Sequence, residues 1–132
     1  MRAAGLPWEE VPVYETVGNV PEQGEKAAAL LGQANPPTAL LAMSDQLALG
    51  AITLARRLTI HLPEELSVVG YDDNYSASLP VPSLTTVRQP FLDKGRVAGE
   101  MLLARLAGET PTSERLKVEL IVRSSSGMFV AR

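Results

Sequence analysis

The 132-residue sequence contains no cysteine, which excludes a disulfide framework and a thiolate zinc site. Aromatic residues make up only 5% of the chain, and alanine, leucine and valine provide most of its 45% hydrophobic content. This composition favours an α/β core over an aromatic-rich binding surface. A chain of this length can bury the core of one ordinary domain.

Long apolar runs and basic clusters are also missing. No apolar run reaches about 18 residues, which excludes a membrane span, and the N-terminus lacks the pattern of a signal peptide. The net charge is −3, and no basic run is longer than Arg56-Arg57. A surface that binds nucleic acid needs a basic patch or stripe. We therefore expect a cytoplasmic protein whose own residues contact neither membrane nor DNA.

Three short apolar runs are predicted to be β-strands: residues 11–17, 38–43 and 66–71. Each is bounded by turn residues, which is typical of strands buried on both faces of a parallel sheet. Helices are predicted between them, at residues 22–32 and 46–58. The alternation predicts an α/β fold with right-handed crossovers, in which helices flank an open parallel sheet.

The helix predicted at residues 46–58 has the strongest periodic pattern, and Asp45 is placed to act as its N-cap. Its polar and glycine positions form one narrow stripe: Gln46, Gly50, Thr53 and Arg57. A surface helix needs an apolar stripe only about 100° wide, and this helix has more. Two interpretations stay open. The helix is either buried deep in a larger domain, or it covers the sheet and makes a second contact.

The last third of the chain predicts a strand, a helix and a further strand. Residues 84–87 are β-like, and residues 91–107 form a helical pattern that Gly108 ends. Residues 116–123 alternate apolar and polar side chains, which suits a strand with one buried face at the edge of a sheet. Residues 124–126, three serines, are predicted to be a frayed tail.

Short polar side chains follow each of the first three predicted strands, at residues 18–19, 44–45 and 72–74. Because ligands bind beyond the carboxyl ends of strands in open α/β sheets, these side chains could accept and donate hydrogen bonds to a hydroxyl-rich or amide-bearing molecule. The alternative is that they cap helices or form turns. On this pattern Asp45 is the better helix cap and Asp72 the better ligand residue.

The sequence offers no constellation for catalysis, and we expect neither an enzyme nor a bound cofactor or metal. The one histidine, His61, lies in a polar turn away from the predicted strand ends. There is no G-x-S-x-G nucleophile motif and no glycine-rich phosphate loop. The adjacent carboxylates Asp72 and Asp73 tend to diverge, which makes them a poor acid/base pair.

Three blocks in order, PTALLAMSDQLALGA, LPEELSVVGYDD and PSLTTVRQP, resemble the LacI/GalR transcription regulators. The resemblance runs from residue 37 to residue 108, more than half of the chain, and the spacing between the blocks agrees with the family. It implies a periplasmic-binding-protein-like fold of type I. In that fold a small effector, a sugar or similar metabolite, binds in a cleft between two α/β subdomains.

The resemblance also implies individual site residues. Asp72 matches the family's acidic residue that takes ligand hydroxyls or ring nitrogens, and Ser44 stands where many members have asparagine. Gln89 and Phe91 fall where the chain crosses between subdomains near the ligand.

The chain departs from the family at one expected ligand position. In many members an aromatic residue stacks on the effector, a few positions before the glycine that matches Gly24. This chain has Asn19 and Val20 there, which puts a stacked sugar or purine in doubt. The full set of expected ligand residues is Asp72, Ser44, Gln89, Phe91, Asn19 and Asp45.

By the same resemblance, residues 1–90 belong to the C-terminal subdomain, and residues 91–132 are a crossover helix and strand of the N-terminal subdomain. The remainder of that subdomain, its ligand-clamping arginine and a DNA-binding headpiece would lie upstream of these 132 residues. A homodimer is implied, with exchange of segments as an open alternative. Its expected interface residues are Leu49, Ile52, Leu79 and Pro80.

The sequence therefore predicts the effector-sensing and dimerisation part of a LacI/GalR-type regulator, which would reach DNA only through the upstream headpiece. The alternative is one lobe of a transport-type sugar-binding protein. The coding sequence upstream distinguishes the two, because a helix-turn-helix indicates the regulator and a signal peptide indicates the transport protein.

Overall fold

The computed structural model of the chain describes residues 7, 11–15, 30–79 and 81–128. In that part of the chain the elements follow in the order β1 (Ala39–Leu41), α1 (Asp45–Arg57), β2 (Ser67–Asp72), a 3-10 helix (Tyr75–Ser78), β3 (Thr85–Arg88), α2 (Phe91–Leu106) and β4 (Glu119–Ile121).

The strands form one open sheet in the order β1-β2-β3-β4. β1, β2 and β3 are parallel, with Leu41 opposite Val69 and Asp72 opposite Arg88. β4 lies antiparallel to β3 at the edge of the described sheet. The α/β class with flanking helices is as predicted, but the sheet is mixed, because the chain returns from α2 in the opposite direction.

Helix α1 packs against the sheet through small side chains. Its buried apolar residues recur at helical spacing: Ala48, Ala51, Ile52 and Ala55. Alanines let the helix axis approach β2 closely, and the burial of Ile52 stabilises the fold by about 1.5–3 kcal/mol. The predicted cap is wrong by one residue, because the hydroxyl oxygen of Ser44 accepts the Leu47 N–H at 3.2 Å.

The first predicted strand and helix fall largely outside the described residues. Residues 11–15 form no strand, contrary to expectation, and residues 16–17 are not described. Of the helix predicted at residues 22–32, Leu30 and Leu31 are described and helical. Leu31 is 5% exposed and belongs to the core.

The serine run after β4 is not a frayed tail. Ser125 is fully buried, and its hydroxyl donates to Val68 O at 2.6 Å and accepts the Thr85 N–H at 2.8 Å. Its backbone N–H donates to Ser83 O and its carbonyl accepts from Val68 N. The serine side chain thus joins β2 and β3 near their amino ends, where an alanine would leave backbone groups without partners.

Helix α2 buries little of its surface in the described structure. Of its 16 residues Val97 alone is buried, and Gly108, with φ +87°, follows its end as predicted. Large apolar side chains on the helix are exposed: Phe91 51%, Leu92 92%, Leu102 60%, Leu103 68% and Leu106 77%. This surface is larger than a soluble helix normally leaves in water.

Candidate functional site

The carboxyl ends of the three parallel strands meet at one edge of the sheet, where the candidate site lies. Ser44 and Asp72 each come three residues after the paired residues Leu41 and Val69, so the register brings them to the same level. Arg88, the last residue of β3, is directly opposite Asp72. Adjacent parallel strands therefore present the predicted ligand residues at one edge, as the sequence indicated.

Asp72 has one carboxylate oxygen bound and one open. Its Oδ1 accepts a hydrogen bond from Gln89 Nε2 at 2.7 Å, whereas no described residue donates to Oδ2. Gln89 Oε1 in turn accepts from Lys94 Nζ at 3.0 Å. Because an ammonium can only donate, Lys94 sets the amide of Gln89 with its NH2 group towards Asp72. The half-buried Asp72 carboxylate is therefore oriented and keeps acceptor capacity for a ligand.

The backbone at Asp72 and Asp73 has an uncommon conformation. Asp72 has φ +120° and Asp73 has φ +56°, two consecutive non-glycine residues with positive φ. Such conformations cost of the order of 1–3 kcal/mol each and persist only where surrounding contacts hold them. They turn the chain sharply at the end of β2, so that Asp72 and Asp73 make different contacts.

Asp73 is held by two arginines. Its Oδ2 lies 2.6 Å from Arg88 Nε and its Oδ1 lies 2.6 Å from Arg123 Nη2, and its side chain is 5% exposed. Burial by itself raises the pKa of Asp73, but the hydrogen bonds and positive charges of Arg123 and Arg88 outweigh it. The net pKa is lowered from the ordinary value of 3.8. Asp73 thus stays ionised in an ion pair and is not available to a ligand.

Asp45 is a buried anchor for the same loop. It is 0% exposed, its Oδ2 accepts the Asn74 N–H at 2.8 Å, and its Oδ1 accepts the Thr86 hydroxyl. A Cβ on Gly70 would lie 2.5 Å from Asp45 Oδ1, so β2 needs glycine where the carboxylate passes. Asp45 thus serves the loop from inside the described structure, and its expected contact with ligand stays a prediction.

Three expected ligand residues remain: Ser44, Phe91 and Asn19. Ser44 is half-buried and uses its oxygen to cap α1, which leaves its hydroxyl hydrogen able to donate elsewhere. Phe91 is 51% exposed at the start of α2, and its backbone N–H donates to Gln89 O at 3.0 Å. Asn19 lies outside the described residues. The structure brings together Asp72 and Gln89 by direct contact.

Of the four expected interface residues, the structure describes Leu49, Ile52 and Leu79. Leu79 is 60% exposed, and Leu49 packs partly against the core. Ile52 is 1% exposed within the core of the chain, and its expected place in a dimer interface stays a prediction. The excess apolar pattern of α1 had suggested a second contact, but this side chain faces the sheet. Pro80 lies outside the described residues.

Sequence reasoning missed Lys94 and Arg123. Both act on the site through long side chains, Arg123 from 50 positions away from Asp73 and Lys94 from the first turn of α2, and neither belongs to a motif with fixed spacing. The alternation of residues 116–123 placed Arg123 among the polar positions of a strand, which gave no sign of its partner. His61, in contrast, is exposed in a loop as predicted.

In residues 7, 11–15, 30–79 and 81–128, no group of three or more His, Cys, Asp or Glu side chains could hold a metal ion. In the same ranges, no helix has both the length and the apolar content to cross a membrane.

The chain matches the family model of the periplasmic binding protein-like domain over residues 1–126. A curated relative is the HTH-type transcriptional regulator DegA of Bacillus subtilis, which is 34% identical over 128 residues. The match covers 96% of this chain and 38% of that protein, so the chain spans little more than a third of this relative's length.

Solved structures of LacI family regulators are also similar to the chain. One from Mycobacterium smegmatis has a TM-score of 0.84 and 31% identity, over 98% of this chain and 49% of that one. Another, from Arthrobacter sp. FB24 in complex with lactose, has a TM-score of 0.71 and 30% identity, over 82% of this chain and 41% of that one.

Proposed function

The chain belongs to the periplasmic binding protein-like domain family, in the form found in LacI-family transcriptional regulators, and we propose that it senses a small polar effector within a longer regulator. Its residues form one wall of the effector site. Binding would favour one arrangement of the longer protein over another through a difference in affinity.

The observation that carries this proposal is the open oxygen of Asp72 beside the oriented amide of Gln89. A carboxylate oxygen that is already fixed in direction by one donor accepts strongly from a ligand hydroxyl, since hydrogen bonds to charged acceptors are the stronger ones. A molecule with several hydroxyls, such as a sugar, fits this chemistry best. The similar regulator from Arthrobacter in complex with lactose supports the same class.

We place the opposite wall of the site outside these 132 residues. Residues 1–90 would form the C-terminal subdomain, and residues 91–132 would extend into the N-terminal one. The exposed apolar side chains of α2 support this division, because they need a partner surface that the described residues do not offer. Covering each large side chain would contribute about 1.5–3 kcal/mol.

A homodimer completes the proposal. Leu79 is the best-placed contact in the described structure, since it is 60% exposed beside the 3-10 helix. Leu49 would contribute from α1 with the part of its side chain that the core leaves open. Contact with DNA would be made by a headpiece outside these residues, because the chain has a net charge of −3 and no basic cluster.

A thermal-shift screen tests the proposal. The chain, and a longer protein that contains it, are screened against neutral sugars including lactose, nucleosides and amino acids. We expect one hydroxyl-rich compound to raise the melting temperature, increasingly with concentration, as binding to the folded state requires. If no compound of any class stabilises either protein, the proposed sensing function is contradicted.

A further inference from the structure

Arg123 links three segments that are far apart in sequence. Its backbone N–H donates to Thr85 Oγ1 at 2.9 Å, and the Thr85 hydroxyl donates to its carbonyl at 3.1 Å. Its guanidinium donates from Nη1 to Leu84 O at 2.7 Å and from Nη2 to Asp73 Oδ1 at 2.6 Å. Both ends of this residue are therefore fixed, one on β3 and the other on the loop after β2.

The two arginines that bind Asp73 are not equivalent. The side chain of Arg123 is 18% exposed and that of Arg88 is 51% exposed, so solvent screens the Arg123 pair less. The planar guanidinium also holds its two acceptors at a fixed separation, which a lysine could not do. Arg123 thus fixes the position of Asp73 relative to the backbone just before β3.

The position of Asp73 determines that of Asp72. The two residues share the positive-φ turn, and such a backbone keeps its conformation only when contacts on several sides impose it. Those contacts are the ion pairs of Asp73 and the hydrogen bond from Asn74 N to the buried Asp45. Among the residues that the structure describes, Gln89 alone donates to the Asp72 side chain, so Asp72 depends on its neighbours for its direction.

We propose that Arg123 is a positioning residue for the effector site, which holds Asp73 and thereby keeps the open carboxylate oxygen of Asp72 aimed at the ligand. This inference rests on the proposed function, in which Asp72 binds the effector. A residue two positions beyond β4 thus determines the geometry of a site that it does not itself touch.

The side-chain amide of Gln89 gives a direct reading of Asp72 without any ligand. Its NH2 group donates to Asp72 Oδ1, so its proton–nitrogen NMR resonance reports whether the carboxylate is in place. The Gln89→Leu variant assigns the resonance, and Asp72→Ala defines its position without the acceptor.

The test is to record the Gln89 resonance in Arg123→Ala, Arg123→Lys and Asp73→Asn, with Arg96→Ala as the matched control. Arg96 binds Asp93 and Glu100 on α2 and has no contact with the loop.

We expect Arg123→Ala to move the resonance most of the way to its position in Asp72→Ala. Arg123→Lys should move it part of the way, because one contact with Asp73 can be kept, and Arg96→Ala should leave it unchanged. Asp73→Asn tests the same link with Arg123 in place, should the alanine variant fail to fold. If Arg123→Ala lowers stability but leaves the resonance where it is in the parent chain, the ion pair is merely structural and the proposal is overturned. The same holds if Arg96→Ala moves the resonance equally.

A binding measurement is the second test of the proposal. For a compound found in the thermal-shift screen, Arg123→Ala should weaken binding by at least about tenfold, since a correctly directed hydrogen bond to a charged group is worth that order. Unchanged affinity would overturn the positioning role. A screen without a binder counts against the sensing function alone, because the Gln89 resonance still decides whether Arg123 positions Asp72.

Discussion

Asp72 and Asp73 are neighbours in the chain but serve different partners. Asp72 accepts a hydrogen bond from Gln89 and has one oxygen to which no described residue donates, whereas both oxygens of Asp73 are bound by Arg88 and Arg123. The positive φ angles of both residues produce this separation. One carboxylate is therefore available for the proposed recognition of an effector, and the adjacent one holds the loop.

Replacing the buried carboxylate that anchors the loop should destabilise the fold. We expect Asp45→Ala to lower the free energy of unfolding by about 2–4 kcal/mol, because it leaves Asn74 N and the Thr86 hydroxyl without their acceptors. Urea denaturation measures the change. Asp93→Asn is the control, since it affects an exposed ion pair on α2 and should change stability by less than about 0.5 kcal/mol. Equal effects would show that Asp45 is no anchor.

A pair of glycine variants tests the close approach of α1 to β2. Gly70→Ala should destabilise by about 1–3 kcal/mol, because the new Cβ would lie 2.5 Å from Asp45 Oδ1 and 2.9 Å from Leu84 Cδ2. Gly99→Ala, in the middle of α2 with open space around it, should stabilise by roughly 0.5–1 kcal/mol. Thermal unfolding of both variants gives the two signs. A neutral Gly70→Ala would mean that the carboxylate does not pass β2 so closely.

Acid stability should depend on Asp73. Its folded-state pKa is lowered below the ordinary 3.8, so its ionised form contributes stability at pH values above 3.8. That contribution is lost as the pH falls from 3.8 through the lowered folded value. Asp73→Asn should therefore flatten the dependence of stability on pH in this acidic range. Unfolding curves between pH 2 and pH 5 measure it, and an identical slope in both proteins would contradict the ion-pair geometry.

The proposed dimer contact can be tested at Leu79, which is exposed beside the 3-10 helix. Leu79→Asp should shift the chain from dimer to monomer at micromolar concentration, because it introduces a charge into an apolar contact. Light scattering with chromatography gives the mass of each species. His61→Asp, at an exposed loop position, is the control and should leave the mass unchanged. A dimer that survives Leu79→Asp would place the interface elsewhere.

The elements that could be predicted are those with a strong local pattern. α1 and α2 lie within one residue of their predicted bounds, because local signals mark their ends: Asp45, next to the observed cap Ser44, at the start of α1 and Gly108 after α2. The direction of β4 could not be predicted from local patterns, because an alternating sequence fits a parallel and an antiparallel strand equally well. Ser125 was missed for a similar reason: only the neighbouring backbone of β2 and β3 explains its burial.

In the site, too, some residues could be predicted from the sequence and others could not. The strand-end pattern indicated Asp72, and the resemblance of the three blocks to a known family implied both Asp72 and Gln89. The roles of Arg123 and Lys94 could not be predicted in this way. Arg123 contacts Asp73 across 50 positions, and Lys94, in the first turn of α2, contacts the side chain of Gln89. Asp45 matched the same sequence pattern as Asp72, and only the structure shows that it is buried and anchors the loop.

The most direct test of the sensing site is an NMR titration of the chain with the effector from the screen, compared between the parent protein and Asp72→Asn. We expect the effector to perturb the amides around Asp72 and the side chain of Gln89. Asp72→Asn should weaken the affinity by at least about tenfold while the fold is retained. Asp93→Asn should bind as the parent does. An effector that binds Asp72→Asn with unchanged affinity, or that perturbs only residues away from this edge of the sheet, would show that Asp72 does not bind it.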